Sequence, residues 1–337
     1  MRKREILLTF DYELFLGSNS GTAQDCMLLP TKRIAEILDK HEVKAIFFVD
    51  TTYLWKLQKE SSQHPELIET FHDILTQVRE LSIKHYVYLH IHPHWLDAKY
   101  DAQRKVWDLS DATKFTVSNL TAEERSKLLH ECYELLQSAS STPVEGYRAG
   151  GLFIQPFSDI KSFFEMCKLQ YEFSVYKGFS SIHDTMKCDF SQAPDLTIYH
   201  FEEDVCQESK VGKFTQFSIS NFEMKGISRV INSIYYRYIM RQPKSKRYGK
   251  GQGARHVLSN NEKHVSMLDT VNESFSVELM NPWKNSLYAK YLKTHTYLHF
   301  LSHPKLVSEM NLESLDSFLS EAKKKYEVVF DFKKFNY

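Results

Sequence analysis

The sequence predicts a parallel α/β fold of about seven strands, and three observations predict it. Short apolar runs rich in β-branched and aromatic residues alternate with longer amphipathic stretches of helical period. The residues able to do chemistry collect at the ends of the short runs, where parallel strands end and α/β proteins build their sites. No low-complexity linker and no internal repeat divides the 337 residues, so the chain reads as a single domain with a substantial core.

Taken in order, residues 6–10 are the first expected strand, Ile-Leu-Leu-Thr-Phe. Residues 31–41 follow as a helix with Ile34, Ile37 and Leu38 on one face. The continuous apolarity of 45–49, Ala-Ile-Phe-Phe-Val, marks a strand buried on both faces. Residues 67–81 have helical period, with Leu67, Ile68, Phe71, Leu75 and Val78 forming the stripe, and 87–89 is the next strand. Thr121-Ala122-Glu123-Glu124 is a capping box that opens a helix bearing Leu128, Leu129, Cys132, Leu135 and Leu136. Residues 145–148 read as a strand end closed by Gly150-Gly151, and 157–168 as a helix. Residues 171–176, 196–201 and 297–301 complete the strands. Asn311 is the expected cap of a last helix, which carries Leu312, Leu315, Phe318, Leu319 and Ala322 on one face.

The rhythm breaks at 203–293, read as an insertion before the last strand that forms a lid near a site. Within it Ile227, Val230, Ile231, Ile234 and Tyr238 fall in register on one helical face. A basic segment follows, with Arg241, Lys244, Lys246, Arg247, Lys250 and Arg255 set among Gly249, Gly251 and Gly253. It is either a solvated loop or a site for an anionic group, such as a sugar nucleotide, a lipid-linked diphosphate or an acidic glycan.

Composition narrows the function classes. Acidic and basic side chains number 43 each, so no global field favours nucleic acid or a membrane. The five cysteines form no CxxC pair, which fits a reduced compartment better than a disulfide framework. The basic start Met1-Arg2-Lys3-Arg4 precedes too short an apolar run for a secretion signal, and Asp11 and Glu13 interrupt it. No run approaches the ~20 apolar residues of a membrane span. A cytoplasmic protein without an integral membrane segment is expected. The 19 Tyr and 23 Phe are mainly core residues, though such a chain also suits stacking on sugar rings.

The chemistry lies in two clusters. Asp11 and Glu13 end the first strand, two residues apart, and so project to one side of an extended chain. His90, His92 and His94 end the third strand, and would share a side if the chain stayed extended through Pro93. Two imidazoles and one carboxylate make the three-ligand open site of catalytic zinc centres, with the second carboxylate free as a base. This pattern points to metal-assisted hydrolysis, with zinc as the expected divalent ion. Trp95 either walls the cleft or packs in the core.

These residues carry a resemblance to the polysaccharide deacetylases related to the nodulation chitooligosaccharide deacetylases, carbohydrate esterase family 4. Leu8-Thr9-Phe10-Asp11 resembles the first motif, Ala45-Ile46-Phe47-Phe48-Val49 the Ala-Thr-Phe-Phe strand of that family, and His90 to His94 the His-x-x-x-His of the second. Gly146-Tyr147-Arg148 sits where the third-motif arginine is placed, and Leu301-Ser302-His303-Pro304 resembles the strand with the last histidine. The departures are Tyr12 and Glu13 in place of a paired aspartate, Ala149-Gly150-Gly151 after the arginine, and no fourth-motif Asp-x-Trp.

The resemblance implies a distorted (β/α)7 barrel and removal of an N-acetyl group from an amino sugar. It implies Glu13, His90 and His94 as metal ligands with His92 as the alternate. Asp11 would be the general base, His303 the acid and Arg148 the partner that orients Asp11. His299 competes with His303 for the acid role, and Trp95 and Tyr147 are candidate substrate contacts. With a cytoplasmic location this implies surface-polysaccharide biosynthesis on a nucleotide- or lipid-linked N-acetylated sugar. Two other readings compete: a catalytically degenerate glycan-binding protein of the same fold, and a hydrolase of a non-sugar amide.

Overall fold

The computed structural model describes residues 3–183, 186–239, 241–253 and 270–336. Its core is a nine-stranded sheet. The strands, in chain order, are β1 (Lys3–Tyr12), β2 (Ile46–Asp50), β3 (Tyr86–Ile91), β4 (Gly146–Ala149), β5 (Tyr171–Glu172), β6 (Ile198–Phe201), β7 (Phe214–Phe217), β8 (Tyr297–Ser302) and β9 (Glu327–Val329). They lie side by side as β6-β7-β5-β4-β3-β2-β1-β8, with β9 against the start of β1. All pairs are parallel except β6 with β7. The fold is mixed α/β, a curled half-barrel sheet with helices, consistent with a distorted (β/α) barrel.

The helices that connect these strands are α1 (Leu29–Lys40), α2 (Thr51–Glu60), α3 (Leu67–Lys84), α4 (Ala122–Ala139), α5 (Lys161–Met166), α6 (Gly226–Ile239), α7 (Pro282–Thr294) and α8 (Glu309–Lys325). Helix α2 packs on α3 and α4, and α8 packs between α1 and α7. Because helices cover one face of the sheet and barrel side chains fill the other, Ile6, Leu7, Leu8 and Phe10 of β1 are all fully buried. The Thr121 capping box opens α4 as the sequence predicts. At α8 the cap is Ser308, and Asn311 returns the bond from three residues on. The expected cap was placed three residues late because Asn and Ser are both good cap residues.

Two features depart from the sequence reading. Strand β7 lies inside 203–293, so the excursion from the barrel starts later than its composition suggests. What remains includes an antiparallel pair, Asn221–Met224 with Val271–Ser274, and α6. Arg255 lies outside the described residues. Second, β8 and the chain after β7 do not pair as strands. Side chains bridge them instead: Tyr297 Oη donates to Ser218 O at 3.1 Å and His299 N donates to Ser220 Oγ at 2.9 Å.

Candidate active site

Parallel strands deliver their last residues to one rim. Asp50, His90 and Arg148 stand at the same level on β2, β3 and β4, each the register partner of the next. Asp11 lies near the end of β1, with Glu13 just beyond it, and His303 follows β8. Of these, Asp11, Glu13, His90 and His303 line a cavity of about 240 Å³, with His92 and Lys305 beside them.

Glu13, His90 and His92 meet at its floor, all buried. His92 Nε2 lies 2.6 Å and His90 Nε2 3.2 Å from the same oxygen, Glu13 Oε2, and the two nitrogens are 2.9 Å apart. His90 Nδ1 is 2.9 Å from the carbonyl of Arg148, so that nitrogen donates to it and Nε2 is the atom left to offer a lone pair to a cation once its own proton is lost. Burial lowers the proton affinity of His90, but Asp11, Glu13 and Asp50 outweigh it and raise the pKa to about 9. The negative field that holds a proton there also favours a metal cation. For Glu13 burial acts upward, and Lys305 with His92 and His90 holds the carboxyl well below its ordinary range.

The donor set fits a borderline divalent ion. Metal–nitrogen bonds of about 2.0–2.1 Å place donors about 3.3 Å apart, so the separations of 2.6, 2.9 and 3.2 Å here would widen to admit an ion. Glycine makes the arrangement possible: a Cβ on Gly150 would sit 2.5 Å from both His92 Nδ1 and the carbonyl of Ile91. Gly151 then turns the chain with φ of +61°.

Asp11 is set by a buried guanidinium. Arg148 Nη1 donates to Asp11 Oδ1 at 2.6 Å, Nη2 donates to Thr9 Oγ1 at 2.8 Å, and Nε donates to Phe173 O at 3.1 Å. The guanidinium also lies 4.1 Å from the centre of the Phe48 ring. Burial pushes the Asp11 pKa up, and Arg148, His90 and His303 more than offset that, holding the carboxyl below its usual value.

His303 stands on the far side of Asp11, its Nε2 3.7 Å from Asp11 Oδ2 and its side chain 25% exposed. Glu278 Oε1 lies 2.9 Å from its Nδ1. Burial lowers the pKa of His303, and Glu278, Asp11 and Glu13 raise it by more. Two residues on, Lys305 Nζ donates to Glu13 Oε1 and to the carbonyl of Leu14, both at 2.7 Å.

The structure thus gathers Asp11, Glu13, His90, His92, Arg148 and His303. His94 lies outside the Glu13–His90–His92 cluster, its ring against Phe115 and His92. The chain leaves the extended state at Pro93, which opens a 3₁₀ turn, so the side sharing expected through position 94 ends at 92. His299 is buried below the cavity, 3.0 Å from Arg148 Nη2 and 3.1 Å from Ser218 O, and burial with the Arg148 charge pushes its pKa well down. Trp95 and Tyr147 do not line the cavity. Trp95 is fully buried, donates to Asp50 Oδ2 at 2.5 Å and packs on Tyr53 and Trp107. Tyr147 precedes Arg148 on β4, so its ring points to the opposite face and packs on Phe164.

Sequence reasoning missed Asp50, Glu278 and Lys305. Asp50 ends an apolar run as Asp11 does, and that signal was available. Lys305 follows Pro304 immediately, so its nearness to His303 was also legible. Glu278 is 25 residues from His303 and only the fold brings it there.

No family model matches the chain, and no curated protein does. Solved structures do resemble it. One is assigned as a polysaccharide deacetylase from Mycobacterium smegmatis, with 12% identity, 96% of this chain and 85% of that one covered, and a TM-score of 0.45. Another is a carbohydrate esterase family 4 pseudoenzyme from Bacillus anthracis, with 13% identity, 97% and 63% coverage, and a TM-score of 0.39. A third is a family 57 glycoside hydrolase branching enzyme from Thermococcus kodakaraensis, with 13% identity, 99% and 70% coverage, and a TM-score of 0.49. All three TM-scores lie below 0.5.

Proposed function

We propose that this chain is a metal-dependent deacetylase that removes an N-acetyl group from an amino sugar in surface-polysaccharide biosynthesis. The observation that carries the reading is the joining, in one cavity, of a His-His-carboxylate donor set, an ionised carboxylate and a protonatable histidine. Glu13, His90 and His92 would hold the ion, with zinc the fitting choice. When bound, it would acidify water and polarise the amide carbonyl.

The chain's own residues divide the rest. Asp11, held ionised by Arg148, accepts the proton of the attacking water. His303, kept protonated by Glu278, delivers a proton from Nε2 to the departing amine. The 3.7 Å between these groups allows both to flank one tetrahedral carbon. Arg148 orients Asp11 and does not reach the cavity.

Acetate release from a panel of N-acetylated sugars, free and nucleotide- or lipid-linked, with and without chelator, tests the reading. Asp11→Asn should retain metal and lose roughly 10²–10⁴ of kcat/KM. Undiminished release from that variant removes Asp11 from the chemistry.

One observation favours a second reading, a glycan-binding protein without turnover. Lys305 places its ammonium group 2.7 Å from Glu13 Oε1, partly supplying what a metal would. Glycan binding without acetate release from any sugar, amide or linked form would select it.

A further inference from the structure

We propose that the outer face of α6, with the basic segment that follows it, docks on an anionic lipid bilayer. Ile227, Ile231, Ile234 and Tyr238 recur at the spacing that makes one helical stripe. They are 75%, 45%, 64% and 64% exposed. A stripe of large apolar side chains left in water along a whole helix marks a surface that is covered in use.

Charge indicates what covers it. Residues 225–253 hold eight Lys and Arg and no Asp or Glu, in a chain whose formal net charge is zero. Arg237 and Arg241 are exposed beside the stripe, and Lys225 at its start. A second copy of this chain would have to press one basic face on another, which like charge opposes. An anionic bilayer meets both features at once: isoleucines enter the acyl boundary, tyrosine sits at headgroup level, and lysine and arginine face the lipid phosphates.

The opposite side of α6 gives the placement a consequence. Asn232 and Tyr236 line a cleft of about 950 Å³ with Lys246 and Lys250, and it extends to Glu278, the partner of His303. Docking through the stripe sets this cleft beside the lipid surface. The proposal stands apart from the hydrolytic reading, because binding is read without turnover.

The test is flotation of the full chain with vesicles of phosphatidylcholine alone and of phosphatidylcholine with phosphatidylglycerol. The expected result is partitioning at least about tenfold stronger on the anionic vesicles, suppressed at high salt. Ile231→Ser with Ile234→Ser, and separately Arg237→Glu with Arg241→Glu, should each abolish most of it. All four side chains are exposed and remote from the metal-ligand candidates, so circular dichroism and cleavage of a soluble substrate should not change. Three results would overturn the proposal: equal partitioning on neutral vesicles, retention by both variants, or no flotation together with a dimer that Ile231→Ser dissociates.

Discussion

At the scale of single residues, the site separates three titratable groups by what faces them. Asp11 meets a guanidinium and stays ionised; His299 meets the same guanidinium and stays neutral; His303 meets Glu278 and holds a proton. The pH profile follows. On the proposed assignment His303 supplies a proton, so activity should fall as pH rises through its raised pKa. Glu278→Gln removes the largest raising influence, and the alkaline limb of kcat/KM should move to lower pH. An unmoved limb would separate Glu278 from the acid. Asp11, Glu13, His90, Arg148 and His303 were all legible from motif order and strand ends. The choice between His92 and His94 was not, because it turns on where the backbone leaves the extended state.

At the scale of elements, the site depends on how β4 ends. Gly150 lets the chain pass within contact of His92, and any side chain there would drive the imidazole from Glu13. Gly150→Ala should therefore weaken metal binding by roughly tenfold or more, with some loss of stability as well, because the new methyl also meets the Ile91 carbonyl. Metal titration monitored beside thermal unfolding checks it, and unchanged affinity would contradict the role given to glycine. The same sequence feature, Arg148 followed by small residues, stood out as a departure from the family pattern, but its purpose appears only when β3 and β4 lie side by side. Strand β7 was missed for a different reason. Four residues, Phe214–Phe217, carry too little period to stand out inside a polar stretch, and pairing with β5 and β6 decides their state.

At the scale of the molecule, the end of the chain seals the barrel opposite the site. Phe332 is fully buried, with its ring centre 4.9 Å from Tyr86, 5.1 Å from Tyr171, 5.3 Å from Phe217 and 5.8 Å from Phe173. One side chain thus ties β3, β5 and β7 together with Phe173, which follows β5. Phe332→Ala should cost about 3–5 kcal/mol in urea unfolding, and a loss under 1 kcal/mol would refute the sealing role. The alternation of strands and helices was readable along the chain, whereas a plug supplied after the last helix was not, since no local pattern marks it. Net charge misled in the same way: a total of zero conceals the wholly basic stretch around α6.

Glu13, His90 and His92 together form the proposed site for a divalent ion. Elemental analysis of the purified chain beside His92→Ala and His94→Ala tests it most directly. Metal near equimolar in the parent chain and in His94→Ala, and lost from His92→Ala, is the predicted result. Metal retained by His92→Ala and lost from His94→Ala, or absent from the parent chain even after incubation with excess zinc, would contradict it.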